Sequence, residues 1–356
     1  MERHRSYTTS LTSARLAGCL NGSAGQAFSI EGEIAAGLCH DFAIEPGQAF
    51  RIMTGGLVPA NCDRIVLQEE CRVAGNELLV PNQALLAEHR FIKKTGSDYR
   101  AGEELAVAGS RLSENQLGLL ADAGNWTITV HRRPRVAYSC SGSELVSADG
   151  AVENGRKYSS NHIVLDNLIR KCGGRPESYG IVADDPAAIE QIIDEMVKST
   201  ADIIVTTGGV GPGKYDLFRQ ILPHSGVNIL YSSLRVRPGK ATLFGVIGEK
   251  LYFGLPGPPS AVRVLFNELI CPPLKKMQGL QAFLPERTEA FLEDDIGLKA
   301  DGVLCLKEGC YRLEQGRVLV GSSGRHQSAN CLVMLEPGRS DYKKGDLVTI
   351  SLTERL

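Results

Sequence analysis

The sequence predicts an α/β protein. A mainly parallel, three-layer α/β sheet domain over residues 134–280 is flanked by a β-rich N-terminal region over 1–133 and a small, barrel-like C-terminal β domain over 284–356. Three observations predict this. Short apolar runs alternate with helical patterns between about residues 134 and 278, and such alternation implies parallel pairing with helices on both faces. On either side the runs are strand-like, and before residue 113 only turn residues separate them. At the centre stands 201–216, where the β-branched run Ile203-Ile204-Val205 stops at Thr206-Thr207. Four glycines in six residues follow it, Gly208, Gly209, Gly211 and Gly213.

Taken in order, residues 1–27 are small and polar, and the first ten show no apolar periodicity, so those ten are expected to fray. Strands are expected at 28–34, 48–53, 64–67 and 77–80, separated by Glu45-Pro46-Gly47, Ala74-Gly75-Asn76 and Pro81-Asn82. Residues 113–123 predict a short helix with Ser113 as N-cap and Gly124 just past its end. Arg132-Arg133-Pro134-Arg135 marks a boundary, and the strand 136–139 runs into Cys140-Ser141-Gly142-Ser143-Glu144-Leu145. A helix over 161–171 carries Ile163, Leu165, Leu168 and Ile169 on its apolar side, and a second over 186–197 is opened by Asp184-Asp185-Pro186. After the glycine strand come a helix at 215–222, strands at 227–230, 242–247 and 251–255, and a helix at 259–269, with Pro272-Pro273 ending the domain. The last strands are expected at 302–306, 317–320, 331–335 and 346–351.

Strand, glycine turn and helix together present amide N–H groups and a helix N-terminus to an anion such as phosphate, although the same pattern also serves as a plain tight turn. The glycine spacing is neither a Walker loop nor a dinucleotide fingerprint, so neither ATP nor NAD is the expected ligand. Ligands of open α/β sheets sit outside the carboxyl ends of the strands, where the Gly142, Asp184, Gly208 and Gly254-Leu255-Pro256-Gly257 turns can lie together. A net charge of -2 predicts no strong field for nucleic acid or for a membrane surface. Ten scattered cysteines without a CxxC pair argue against a zinc ribbon and suit reduced thiols in a cytoplasm. No apolar run reaches the ~18 residues of a membrane span, and Met1-Glu2-Arg3-His4-Arg5 opens no signal-peptide core.

Several stretches, in one order over roughly 28–350, resemble a single family, the molybdopterin molybdenumtransferases, which include the gephyrin E domain. They are Arg51-Ile52-Met53-Thr54-Gly55, the Gly96–Gly102 loop, Ser141–Leu145, Tyr158-Ser159-Ser160-Asn161, Gly180–Pro186, Thr207–Val210 with Asp216, Arg237-Pro238-Gly239-Lys240 and Gly254–Gly257. The resemblance implies a molybdopterin-binding type of α/β domain. It also implies insertion of molybdate into adenylated molybdopterin with release of AMP, dependent on a divalent cation, expected here to be Mg2+. It further implies a small-molecule substrate and a homodimer. By position in those motifs it carries over Asp184, Asp216, Glu144 and Asp98 as catalytic acids, with Asp184, Asp216 and Glu144 as metal ligands. It assigns Thr54, Ser141, Gly142, Gly208, Gly209, Gly211, Gly213, Arg237, Lys240, Gly254, Pro256 and Gly257 to substrate binding, where Arg237 and Lys240 would neutralise phosphate. Simpler roles stand beside these. Asp184 also suits a helix N-cap, Asp98 a turn, Glu144 a helix start and Arg237 a solvated surface.

The chain also departs from the family pattern. The motif Asp-Asn-Ser-Ala-Met-Asp-Gly-Tyr-Ala has no counterpart in residues 3–16, so about fifty leading residues are expected to be absent relative to the family. Ser143 and Ser159 stand where the family has acids, Gly211-Pro212 where it has Ser-Val, Arg237 where lysine is usual, and Pro258 where it has Asn. Residues 324–330 are shorter than the family's serine-rich turn. An alternative function follows from the lost acids, a non-catalytic paralogue that binds molybdopterin and stores or delivers cofactor.

Overall fold

The structure is a computed structural model that describes residues 7–8, 17–20, 27–38, 43–62, 64–80, 91–147, 150–211, 213, 217–299, 302–324 and 327–354. They fall into two compact units, Met1–Leu105 and Ala106–Leu356. In the first, a six-stranded sheet runs in the order Arg64–Leu67, Ala17–Leu20, Gln48–Ile52, Ala27–Ile34, Glu77–Leu79, Arg72–Ala74. Phe28, Ile30, Ala49, Val66 and Leu78 form one core beneath it and Ile34, Ile44, Phe50 and Ile52 another. Two pieces lie where no strand was expected. Ala17–Leu20 pairs with two strands inside the sheet, and Tyr7–Thr8, among the ten residues expected to fray, pairs with Ile92–Lys93. Cys62 is disulfide-bonded, against the expectation of thiols throughout, and seven other described cysteines are free.

The second unit opens with the helix Glu114–Asp122. Ser113 accepts the Gln116 amide while the Gln116 side chain reaches back to the Ser113 amide, a reciprocal cap. The central sheet follows, built from β1 (Arg135–Ser141), β2 (Arg175–Val182), β3 (Ile203–Thr207), β4 (Asn228–Tyr231), β5 (Leu243–Ile247) and β6 (Lys250–Leu255). Its order is β2-β1-β3-β6-β5-β4. Five of the six strands run in one direction and only β5 runs against them, antiparallel to both β6 and β4, so the sheet is mainly parallel as the alternation predicted. All five residues of β3 are buried, because helices cover both faces. On one face α1 (Ser160–Lys171) and α3 (Pro259–Leu265) pack Leu165, Ile169, Val262 and Leu265 against Tyr138, Val205 and Phe253. On the other, α2 (Pro186–Lys198) packs Ile189, Ile193 and Met196 against Ala137, Ile204 and Tyr252.

Three expectations need correction, and a fourth is tested only in part. β2 was not foreseen, because Arg175-Pro176-Glu177-Ser178 is polar and carries a proline. Both are tolerated here because β2 is an edge strand, paired among the described residues only with β1. The helix expected over 215–222 is described only from Phe218 to Ile221, and residues 215–216 lie outside the described residues. Pro272-Pro273 does not end the helical run. Helix α3 continues through a π-turn at Phe266–Ile270 into Cys271–Met277, where the prolines occupy the first turn. Proline has no N–H to donate, so the wider turn forms just where the i→i−4 ladder loses its donors. Finally, a strand at Arg287–Leu292 precedes those expected in the last region.

The C-terminal strands close on themselves. Leu304–Glu314 pairs with Arg317–Ser322 and with Cys331–Leu335, which pairs with Leu347–Leu352. That strand pairs with Arg287–Leu292, which returns to Arg317–Ser322. Inside this ring lie Ala290, Leu292, Val320, Val333, Leu335 and Ile350. Leu306 and Leu332 face the other way and join the core under α3. Beside them Arg263 holds Glu308 with two hydrogen bonds of 2.6 Å.

Candidate functional site

Register places the expected ligand turns on one edge. Thr207 lies opposite both Cys140 and Leu255, Ser141 lies opposite Val182, and Gly254 lies opposite Leu243. The chain therefore leaves β1, β2, β3 and β6 at the same carboxyl edge. The connection between β4 and β5, which carries Arg237 and Lys240, starts and returns there as well. Both side chains are exposed; Val236-Arg237 also adds a short parallel strand to Leu304–Glu314.

The glycine turns are closely packed backbone. Gly208 has φ +92°, and a Cβ there would lie 2.5 Å from the Ser141 carbonyl oxygen. Gly209 has φ +58° and abuts the Phe218 ring. These positions demand glycine because the left-handed backbone and the missing side chain are both used. Ser141 donates its hydroxyl to the Thr207 carbonyl at 3.3 Å, and the Gly208 amide donates to Leu255 at 2.9 Å. Beneath the turn, Thr206 Oγ1 and Tyr252 Oη share a fully buried hydrogen bond of 2.5 Å. Burial raises the Tyr252 phenol well above its ordinary range, so Tyr252 is a neutral support rather than a base.

The acids divide. Asp184 receives the Ser143 amide on its carboxylate at 3.1 Å and gives its own amide to the Ser143 hydroxyl at 3.0 Å. It is not the helix cap. Asp185 caps α2, accepting the Ala188 amide at 2.9 Å, which leaves Asp184 facing the Gly142 turn. Glu144 lies 3.1 Å from Lys157. Burial pushes its carboxyl up, but its own backbone amide and the Lys157 ammonium outweigh that and hold it below the ordinary range. Asp216 lies outside the described residues. Asp98, exposed and ion-paired with Lys93, and Thr54, in the turn after Gln48–Ile52, belong to the unit Met1–Leu105. Among the described residues no three His, Cys, Asp or Glu side chains gather into a metal site.

Beside the Gly142 turn lies a cavity of ≈ 660 Å³, with walls from Leu145, Val146, Ile163 and Ile181 and polar groups from Ser143, Arg156 and His162. Its size and its apolar lining with few polar groups suit a flat organic ring. His162 is fixed by Ser178, 3.3 Å from its Nδ1, and by the Tyr138 ring at 5.4 Å. Sequence reasoning missed Ser143 and Asn161 as site residues. Ser143 was seen only as a lost acid, and its reciprocal pair with Asp184, 41 residues away, has no local signal. Asn161 was matched within a motif without a role, yet its Nδ2 donates to the Gly257 carbonyl at 2.7 Å. Gly211 and Gly213 fall in the same connection as Gly208, whose residues 212 and 214–216 lie outside the described residues.

Among the described residues, no helix is long and apolar enough to cross a membrane. A family model described as "Probable molybdopterin binding domain" matches residues 137–276, and one described as "MoeA N-terminal region (domain I and II)" matches residues 19–124. The molybdopterin molybdenumtransferase of Nostoc sp. is 34% identical over 325 residues, covering 88% of this chain and 72% of that protein. That of Haemophilus influenzae is 29% identical over 318 residues, covering 85% and 76%. A crystal structure of the molybdopterin biosynthesis MoeA protein from Pyrococcus horikosii matches with a TM-score of 0.77 at 23% identity, covering 99% of this chain and 88% of that one, a likeness of fold.

Proposed function

The chain belongs to the molybdopterin molybdenumtransferase family, and from that premise we propose that it inserts molybdate into the dithiolene of adenylated molybdopterin and releases AMP, a step of molybdenum cofactor biosynthesis. The observation that carries this reading is the convergence of five connections on one sheet edge, with bare glycine backbone at Gly208 and Gly209 held rigid from below. The Gly208 amide is held by the Leu255 carbonyl, so the amides that follow it in the turn would receive phosphate oxygens; Arg237 and Lys240 supply positive charge on the same edge, and the cavity beside Gly142 suits a heterocyclic ring.

Magnesium typically takes one or two carboxylates plus substrate phosphates instead of a complete protein cage. Asp184 and Glu144, both near the Gly142 turn, are described carboxylates that could supply such ligands, and Asp216 lies outside the described residues. When bound, the ion would neutralise charge developing on the phosphates. The protein's own part is to orient Asp184 through Ser143 and to hold the glycine amides in place. We place the reaction in the cytoplasm and expect a homodimer. One observation favours the storage reading: Glu144 is engaged by Lys157 and Asp184 by Ser143.

Calorimetric titration with adenylated molybdopterin and Mg2+ tests the site. Binding should be saturable, and Asp184→Asn should keep most of the affinity while slowing turnover, because a carboxylate that holds a cation acts where charge develops. Absence of nucleotide binding by the wild type would remove the site from this edge.

A further inference from the structure

Asn161 lies in the first turn of α1 and is 7% exposed. Its Nδ2 donates to the Gly257 carbonyl at 2.7 Å and lies 3.4 Å from Thr207 Oγ1. Its Oδ1 is buried with no hydrogen-bond partner among the described residues. Thr207 ends β3 and precedes the Gly208 turn; Gly257 lies in the turn that follows β6. The two strands are neighbours, with Thr207 opposite Leu255, but Gly208, Gly209 and Gly257 carry no side chains that could fix one turn to the other. The backbone bond from the Gly208 amide to the Leu255 carbonyl joins the strand ends but stops short of Gly257, and Asn161 extends the tie to that turn from a separate helix.

The half-satisfied amide is informative. Buried side-chain polar groups are normally paired, and an amide with one side unmatched is less favourable than an apolar residue of similar shape unless the matched side is needed. At Asn161 the matched side is the donor, and it is spent on the Gly257 carbonyl in the turn after β6. An isosteric aspartate would set an acceptor against that carbonyl and push the two turns apart.

We propose that Asn161 is a positioning residue for the transfer reaction: by tying the Gly257 carbonyl to the end of β3, it sets the spacing between the two glycine turns that receive the phosphates of the nucleotide. This rests on the reading of the site given above. Asn161 acts through Gly257 and Thr207 and needs no contact with the substrate.

The test is calorimetric titration with AMP of the wild type, Asn161→Asp and Asn161→Ala, beside thermal unfolding of each. A spacing role predicts that Asn161→Asp, which keeps the shape and loses the donor, weakens AMP binding by about tenfold or more and raises KM more than it lowers kcat. A merely structural asparagine would lower the melting transition and leave the affinity of the folded protein within about twofold of wild type, and that result overturns the proposal. Should neither variant fold, the wild type decides: the side-chain amide resonances of Asn161 must shift and gain exchange protection on AMP addition, and unmoved resonances overturn it. A wild type that does not bind AMP refutes the site itself, an outcome distinct from a variant that binds as well as the wild type does.

Discussion

Replacing Gly208 with alanine tests whether the turn is held as tightly as the geometry indicates. The added Cβ would stand 2.5 Å from the Ser141 carbonyl oxygen and 2.7 Å from its hydroxyl, at φ +92°. Placing a non-glycine residue in the left-handed region costs about 1–2 kcal/mol. The overlap is with backbone of β1, which pairs on both sides, so relief requires a backbone shift of about 1–3 kcal/mol more. The sum is about 3 kcal/mol. Gly209→Ala is the internal control. At φ +58° its Cβ meets the Phe218 ring at 2.9 Å; that ring is fully buried, so its displacement adds to the left-handed cost but moves no paired strand, and the total is about 2 kcal/mol. Urea denaturation of both variants, with AMP titration of the folded protein, reads the difference. Gly208→Ala should be the less stable and the weaker binder. Equal stability, or the reverse order, would refute the claim that β1 backs the turn.

Two further predictions follow from named contacts. Ser143→Ala removes the acceptor of the Asp184 amide, so stability should fall by about 1 kcal/mol and AMP release should slow more than nucleotide affinity weakens; unchanged turnover would make the pair ornamental. Asp202 is held below the ordinary carboxylate range first by its two hydrogen bonds from Arg132 and then by the Arg135 amide, with partial burial opposing. A depressed folded pKa contributes stability that is complete above the unfolded value near about 3.9 and is lost as pH falls through the folded value. Because Arg132 is mostly exposed, Asp202→Asn should cost only about 1 kcal/mol at neutral pH, and its difference from wild type should vanish in strong acid; a difference that persists there would point to packing instead of charge.

What was legible in the sequence is what periodicity and composition encode locally. The run Ile203-Ile204-Val205 announces a buried strand, and Ser113 announces a capped helix; both stand as read. The polar edge strand β2 hides its identity because edge position relaxes the need for apolar residues and tolerates Pro176. Pro272-Pro273 looks like a stop, but a π-turn absorbs the missing donors, and nothing in the local sequence specifies that. The glycine turns were visible because glycine is a local signal. The pairs that hold them, Asn161 with Gly257 and Ser143 with Asp184, join residues 96 and 41 positions apart, and no single-sequence pattern records such a distance.

The most direct test of the account is AMP release from adenylated molybdopterin under single-turnover conditions, with Mg2+, in the presence and absence of molybdate. AMP release is expected in step with molybdate uptake by the pterin, and markedly slower with Asp184→Asn and Asp216→Asn. A protein that binds the nucleotide but releases no AMP, with or without molybdate, would contradict it and leave a cofactor-binding paralogue in its place.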